Sequence, residues 1–198
     1  MIALVDYQAG NLTSVKKALA SLGADVFVPV TPADLAKAQA VIVPGVGHFG
    51  ATRALQGAWT DAILERVGEG RPLLGICLGM QWLFEGSEEA DDVPGLGVLP
   101  GRCVKLRSRD VKIPHVGWND LLFDRTAGIL EGVTPGSQVY FTHSYVAPAS
   151  NEMTAETDHG ERFVSVVQRG YIAGVQFHPE KSGDVGLRIL RNFVEMAA

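Results

Sequence analysis

Cys77 stands in the run Pro72-Leu73-Leu74-Gly75-Ile76-Cys77-Leu78-Gly79-Met80-Gln81, an apolar segment that ends on a thiol with glycine two residues before and two after. Residues 80–84 read on as helix. This is the cysteine version of the Gly-x-Ser-x-Gly nucleophile elbow, which holds its central residue in a sharp, strained turn at the tip of a strand. Glycines flank it because a larger side chain would collide across the turn. The sulfur is pushed out at the start of a helix, where backbone amides and the helix dipole favour thiolate. The competing reading is a buried core cysteine beside two loop glycines. A thiol nucleophile needs a base, and the base needs an acceptor that orients it. Gly174-Val175-Gln176-Phe177-His178-Pro179-Glu180-Lys181-Ser182 offers both. His178 and Glu180 are two apart, so on an extended segment their side chains point the same way, and Pro179 keeps His178 extended. Glu180 then accepts from one ring nitrogen while the other faces sulfur.

Gly-x-Cys-x-Gly-x-Gln followed about a hundred residues later by Phe-His-Pro-Glu resembles the class I, triad-type glutamine amidotransferases. Four further segments resemble one subgroup, the glutaminase subunits of imidazole glycerol phosphate synthase in histidine biosynthesis. They are Asp6-Tyr7-Gln8-Ala9-Gly10-Asn11-Leu12, Pro44-Gly45-Val46-Gly47-His48-Phe49-Gly50, Ile113-Pro114-His115-Val116-Gly117-Trp118-Asn119 and Tyr140-Phe141-Thr142-His143-Ser144-Tyr145. Gln8 departs from the pattern, which usually has Gly there. The resemblance implies hydrolysis of glutamine by a Cys77-His178-Glu180 triad through a thioester. It also implies delivery of the ammonia to a separate cyclase subunit, as a heterodimer, since this chain has no room for a second catalytic domain. That cyclase would form imidazole glycerol phosphate and aminoimidazole carboxamide ribotide.

Acyl transfer builds an oxyanion that needs preorganised donors. The amide of Leu78, just after the nucleophile, is one candidate. By resemblance the other comes from the loop after the third strand, through Val46 or Gly47, where glycines on each side let the peptide turn either way. Gln81 lies one helical turn after Cys77 on the same face, and the resemblance makes it a substrate contact. Thr142, His143 and Ser144 follow a strand and offer donors to the glutamine α-carboxylate. The resemblance places Asn11, Tyr140 and Lys181 against the partner.

These residues need a scaffold, and the first half of the chain supplies one by alternation. Apolar strands are expected at residues 2–5, 25–28, 40–43 and 73–76, with helices at 12–22, 32–37 and 51–67 between them. Such alternation argues a mostly parallel sheet with helices on both faces, and chemistry in open sheets collects beyond the carboxyl ends of the strands. Cys77 and the 44–47 loop both lie at such ends. The second half adds antiparallel strands at 138–141, 153–157, 163–168 and 172–176, a hairpin turn at 158–161 and a closing helix at 184–196. The expectation is an α/β fold in one domain, residues 1–198.

Composition sets limits on the reading. With 198 residues, 46% hydrophobic and 20% charged, the chain is long enough for a sizeable core. A net charge of -5 without a Lys/Arg block argues against nucleic acid. The apolar runs are too short to cross a bilayer, and residues 2–5 enter a strand with no basic leader before it. A disulfide between Cys77 and Cys103 would consume the nucleophile, so reduced thiols and a cytoplasmic setting are expected. No metal-ligand grouping or phosphate loop occurs, and no metal or cofactor is expected.

Overall fold

The computed structural model describes residues 1–108, 110–124 and 128–197. In chain order the first half runs β1 (Ile2–Leu4), α1 (Leu12–Ser21), β2 (Val26–Phe27), β3 (Ala40–Gly45), α2 (Ala58–Gly68), β4 (Leu73–Cys77) and α3 (Leu78–Trp82). The second half runs β5 (Gly86–Ser87), β6 (Ala90–Pro94), β7 (Arg102–Lys105), β8 (His115–Asp120), β9 (Gln138–His143), β10 (Tyr145–Val146), β11 (Met153–Asp158), β12 (Arg162–Arg169), β13 (Ile172–Val175) and α4 (Gly183–Met196).

The main sheet has seven strands in the order β11-β12-β13-β4-β3-β1-β2. From β2 to β13 every pairing is parallel, and β12 and β11 add antiparallel strands at one edge. Side chains alternate across it. Ile2, Leu4, Ile42, Leu74 and Ile76 face Val15 and Leu19 of α1 and Ile189, Leu190 and Phe193 of α4. Ala3, Val5, Val41, Val43 and Leu73 face Leu35, Ile63 of α2 and Trp82 of α3. All six residues of β3 and all five of β4 are buried, which is what a parallel strand covered on both faces requires. Beside this sheet lie a four-stranded sheet, β10-β7-β5-β6, and the antiparallel pair β8-β9.

Two expected elements differ in detail. The helix expected over 51–67 is two pieces, a 3-10 stretch Phe49–Leu55 and then α2. Gly57 between them sits at φ 70, and Thr60 Oγ1 donates back to Leu55 O at 2.7 Å, so the chain turns where one helix was expected. Residues Pro32–Lys37 form 3-10 turns rather than α-helix. Asp34 Oδ2 accepts from the Thr31 N–H (3.0 Å) and hydroxyl, which caps the start of the segment, and extended Ala38 ends it after six residues. The closing helix expected over 184–196 is α4, and it turns Gly186, Ile189, Leu190, Asn192 and Phe193 inward. The strands β5, β6, β7, β8 and β10 were not anticipated.

Candidate active site

Cys77 is the last residue of β4 and has φ 54 and ψ -108. A non-glycine residue in that region costs on the order of 1–3 kcal/mol and persists only where its surroundings enforce it. Here they do. A Cβ on Gly79 would strike the Val43 carbonyl, and one on Gly75 would strike the Gly79 carbonyl, so both flanking glycines are fixed by backbone approach. Parallel register sets Gly45 of β3 directly beside Cys77.

His178 follows β13, the strand next to β4, so thiol and imidazole leave the carboxyl ends of neighbouring parallel strands. His178 Nδ1 bonds Glu180 Oε1 at 2.9 Å, with both side chains almost fully buried. His178 itself is extended (φ -101, ψ 97), but Glu180 lies in a 3-10 turn, Pro179–Lys181. The pair therefore meets across a tight turn, not along one strand face. Ser182 fastens the segment: its hydroxyl donates to His178 O at 2.6 Å and accepts from Tyr140 N at 2.9 Å. Glu180 accepts at Nδ1, so that nitrogen carries hydrogen, and buried Nε2 has no partner within the protein. Burial alone would lower the pKa of His178, but Cys77 and Glu180 raise it to about 10. The ring therefore holds a proton at neutral pH.

Beside Cys77 opens a cleft of about 210 Å³, lined by Gly47, Cys77, Leu78, Gln81, Glu89, Pro114, Thr142, His143, Ser144 and Tyr145. While it carries its hydrogen, Cys77 Sγ donates to Thr142 O at 3.8 Å across it. The Leu78 amide opens α3 and, as a first-turn N–H, has no intrahelical acceptor. Val46 differs: its N–H donates to Ala9 O at 2.6 Å, turned away from the sulfur. As an oxyanion donor Val46 is out of place in this state, while Gly47, at φ 100, borders the cleft. Gln81 is also more committed than a substrate contact needs to be. Its Nε2 donates to Tyr145 O (2.8 Å) and to Gln176 Oε1 (3.1 Å), which leaves Oε1 for a ligand.

His143 lines the cleft but cannot act as a second base. Its Nδ1 must donate to Tyr145 O, an acceptor only, at 3.1 Å. Its Nε2 then accepts from His115 Nδ1 at 3.1 Å, and His115 Nε2 accepts from Asn119 Nδ2 at 3.3 Å. That chain of donors fixes both rings neutral. Burial, and for His143 the neighbouring His115, lowers their pKa values to about 4 for His115 and about 3 for His143.

Of the residues expected at a partner surface, Tyr140 and Lys181 meet, with Lys181 Nζ 5.7 Å from the Tyr140 ring centre. Asn11 caps α1 by accepting from Ser14 N at 3.3 Å. Sequence reasoning missed Trp118, which stacks edge-on with Tyr140 (6.1 Å between ring centres) and is 54% exposed beside equally open Val116. It also missed Glu89, a carboxylate lining the cleft, whose Oε2 accepts from Phe49 N at 2.6 Å. Nothing in the spacing of Glu88-Glu89 marked it. Among the described residues no group of three or more His, Cys, Asp or Glu could hold a metal.

The sequence model of the family "Glutamine amidotransferase class-I" matches residues 3–197. A subunit named imidazole glycerol phosphate synthase subunit HisH in Halobacterium salinarum is 48% identical over 206 residues, covering 100% of this chain and 94% of that one. The protein of the same name in Gloeobacter violaceus is 49% identical over 204 residues, covering 100% and 90%. A solved structure titled as that of a glutamine amidotransferase superposes with a TM-score of 0.78 at 24% identity, covering 100% of this chain and 99% of the other.

Proposed function

The chain belongs to the class I glutamine amidotransferases, and from that premise we infer that it is the glutaminase subunit of an imidazole glycerol phosphate synthase. It hydrolyses glutamine to glutamate and ammonia and hands the ammonia to a separate cyclase chain. The observation that carries the reading is the strained Cys77 at the end of β4, lining a small cleft, with the buried His178–Glu180 pair just beyond the neighbouring strand β13 and close enough for the sulfur to raise the His178 pKa. A cleft of about 210 Å³ suits one amino acid, not a polypeptide threading through.

Glutamine enters with its α-ammonium against Glu89 and its α-carboxylate toward Thr142, His143 and Ser144. Gln81 Oε1 accepts from the bound amino acid. Cys77 thiolate attacks the side-chain amide carbon, and the oxyanion rests on the Leu78 amide and the Gly47 turn. His178 gives its Nε2 proton to the amide nitrogen, the C–N bond breaks and ammonia leaves. The neutral ring then takes a proton from water, hydroxide attacks the thioester, and glutamate departs with Cys77 restored. Glu180 holds the ring by Nδ1 throughout.

Val46 becomes a further oxyanion donor only when its N–H leaves Ala9 O. A partner promotes that state by binding it more tightly than the resting one. The cyclase docks round the mouth of the cleft, over Tyr140 and Lys181, with Trp118 and Val116 extending that surface. The free thiols Cys77 and Cys103 suit the reducing cytoplasm. Among the described residues no helix is long and apolar enough to cross a membrane.

The test is glutamate release by the chain alone, with a cyclase, and with the cyclase plus its nucleotide substrate. A missing oxyanion donor is worth about a hundred- to a thousandfold in rate, so full stimulation is expected to be of that order. No glutamate in any condition, with cleavage of casein instead, would replace this reading by a peptidase.

A further inference from the structure

Gln176 is fully buried, and the proton-transfer steps above make no use of it. Its Nε2 donates to Cys77 Sγ at 3.7 Å. Which way a side-chain amide points is set by its partners, and here the partners leave one choice. Tyr145 O can only accept, so Gln81 presents Nε2 there. The second hydrogen of that Nε2 goes to Gln176 Oε1. Gln176 must then turn its own NH₂ toward the sulfur. Its backbone is pinned as well, with Gln176 N donating to Ser165 O at 2.9 Å.

We propose that Gln176 is a catalytic residue of the glutaminase, a fixed amide donor that stabilises the Cys77 thiolate from inside the protein. The two bonds to sulfur divide by charge state. A thiol has a hydrogen to give, and Thr142 O receives it. A thiolate has none, and Thr142 O then offers nothing favourable, while the Gln176 N–H bond strengthens because its acceptor is charged. Gln176 therefore acts most strongly when the nucleophile is ready, and again when sulfur departs from the thioester. It cannot titrate and, being buried, cannot be displaced by water. The ionisable groups that face Cys77 are His178 from beyond β13, Tyr7 from the loop after β1, and Glu89 and His143 across the cleft. Of these His178 moves the proton, and Gln176 holds the charge that remains.

The inference rests on the glutaminase reading, yet it is read without glutamine or partner. Iodoacetamide alkylation of Cys77 is followed by intact-protein mass spectrometry from acid to alkaline pH. In Gln176→Met, which keeps length and removes the donor, the neutral-pH rate is expected to fall about tenfold or more. The rates converge at alkaline pH, where ionisation is complete. A steric or purely structural role would lower the rate at every pH. Buried Cys103 is the internal control, since its labelling reports unfolding. If the variant unfolds, the wild-type protein decides by NMR. The Gln176 side-chain amide signals shift with the ionisation of Cys77, and the shift vanishes in Cys77→Ala. A neutral-pH rate unchanged in folded Gln176→Met, or Gln176 signals indifferent to that ionisation, overturns the role. Glutamate release by the wild-type complex would then still leave the glutaminase standing.

Discussion

Cys77→Ala removes the sulfur that lines the cleft and is expected to abolish glutamine hydrolysis while the fold survives. It also relaxes nothing at the elbow, because the left-handed backbone is enforced by Val43 and Gly79 and not by the thiol. His178→Ala is expected to cost nearly as much, about ten-thousandfold or more, since groups of one catalytic unit are grossly non-additive. Glu180→Gln is expected to cost less, because it orients the ring without handling the transferred proton. Steady-state glutamate release in the stimulated complex ranks the three, and a Glu180 variant below the Cys77 variant breaks the assignment. The His178 proton has its own signature. Its folded pKa of about 10 lies above the unfolded value of about 6.5. The stability it contributes is therefore full below pH 6.5 and lost as pH rises through 10. Nitrogen-15 spectra are expected to show a protonated ring at pH 8, and Cys77→Ala to move its titration lower, because the sulfur is a leading cause of the rise. A titration that does not move refutes the pairing of ring and sulfur.

The β1–α1 connection carries a residue in an unsuitable conformation. Gln8 sits at φ 63, held by its own N–H donating to Asp6 Oδ1 at 2.9 Å. Gln8→Gly is expected to raise unfolding free energy by about 0.5–1 kcal/mol, the cost of a side chain there being larger than the entropy glycine adds to the unfolded chain. Urea titration measures it, and a loss of stability contradicts the strain. Gly79→Ala works in the other direction, losing about 1–3 kcal/mol as well as activity, since its neighbour is backbone that cannot step aside. The same contrast explains what was legible along the chain. Strands β3 and β4 are continuous apolar runs and could be read directly, as could the glycines round Cys77. Gly57 was equally visible, but glycine inside an apolar stripe does not say whether a helix bends or stops. Strands β6 and β8 escaped because Ala90–Pro94 and His115–Asp120 carry charged, polar and glycine residues on edges that face water. Glu89 and Gln176 escaped because their roles depend on chain segments that meet only in the fold.

At the scale of the molecule, two predictions concern how the sheets hold together and what lies outside them. His115 and His143 are kept neutral between β8 and β9, with folded pKa values of about 4 and about 3 against about 6.5 unfolded. Their contribution is complete above pH 6.5 and is lost as pH falls toward 4 and 3, because the unfolded chain takes up the protons first. Unfolding free energy is expected to drop between pH 7 and pH 4.5, with a shallower slope in His115→Gln; equal slopes sink the argument. The exposed Trp118 ring is expected to anchor the cyclase. Trp118→Ala should weaken the complex by about 2 kcal/mol or more in calorimetry, while alkylation of Cys77 in the isolated chain stays as in wild type. Tight binding by the variant would move the interface elsewhere. Cys77 stands on the seven-stranded sheet, whereas Thr142, whose carbonyl receives the Cys77 hydrogen, stands on the separate β8-β9 ribbon. Tyr140 is two residues up the same strand, about 7 Å away along it. Whatever rests on that tyrosine therefore rests on the same strand that forms one wall of the cleft, and that wall belongs to a different sheet from the sulfur it faces.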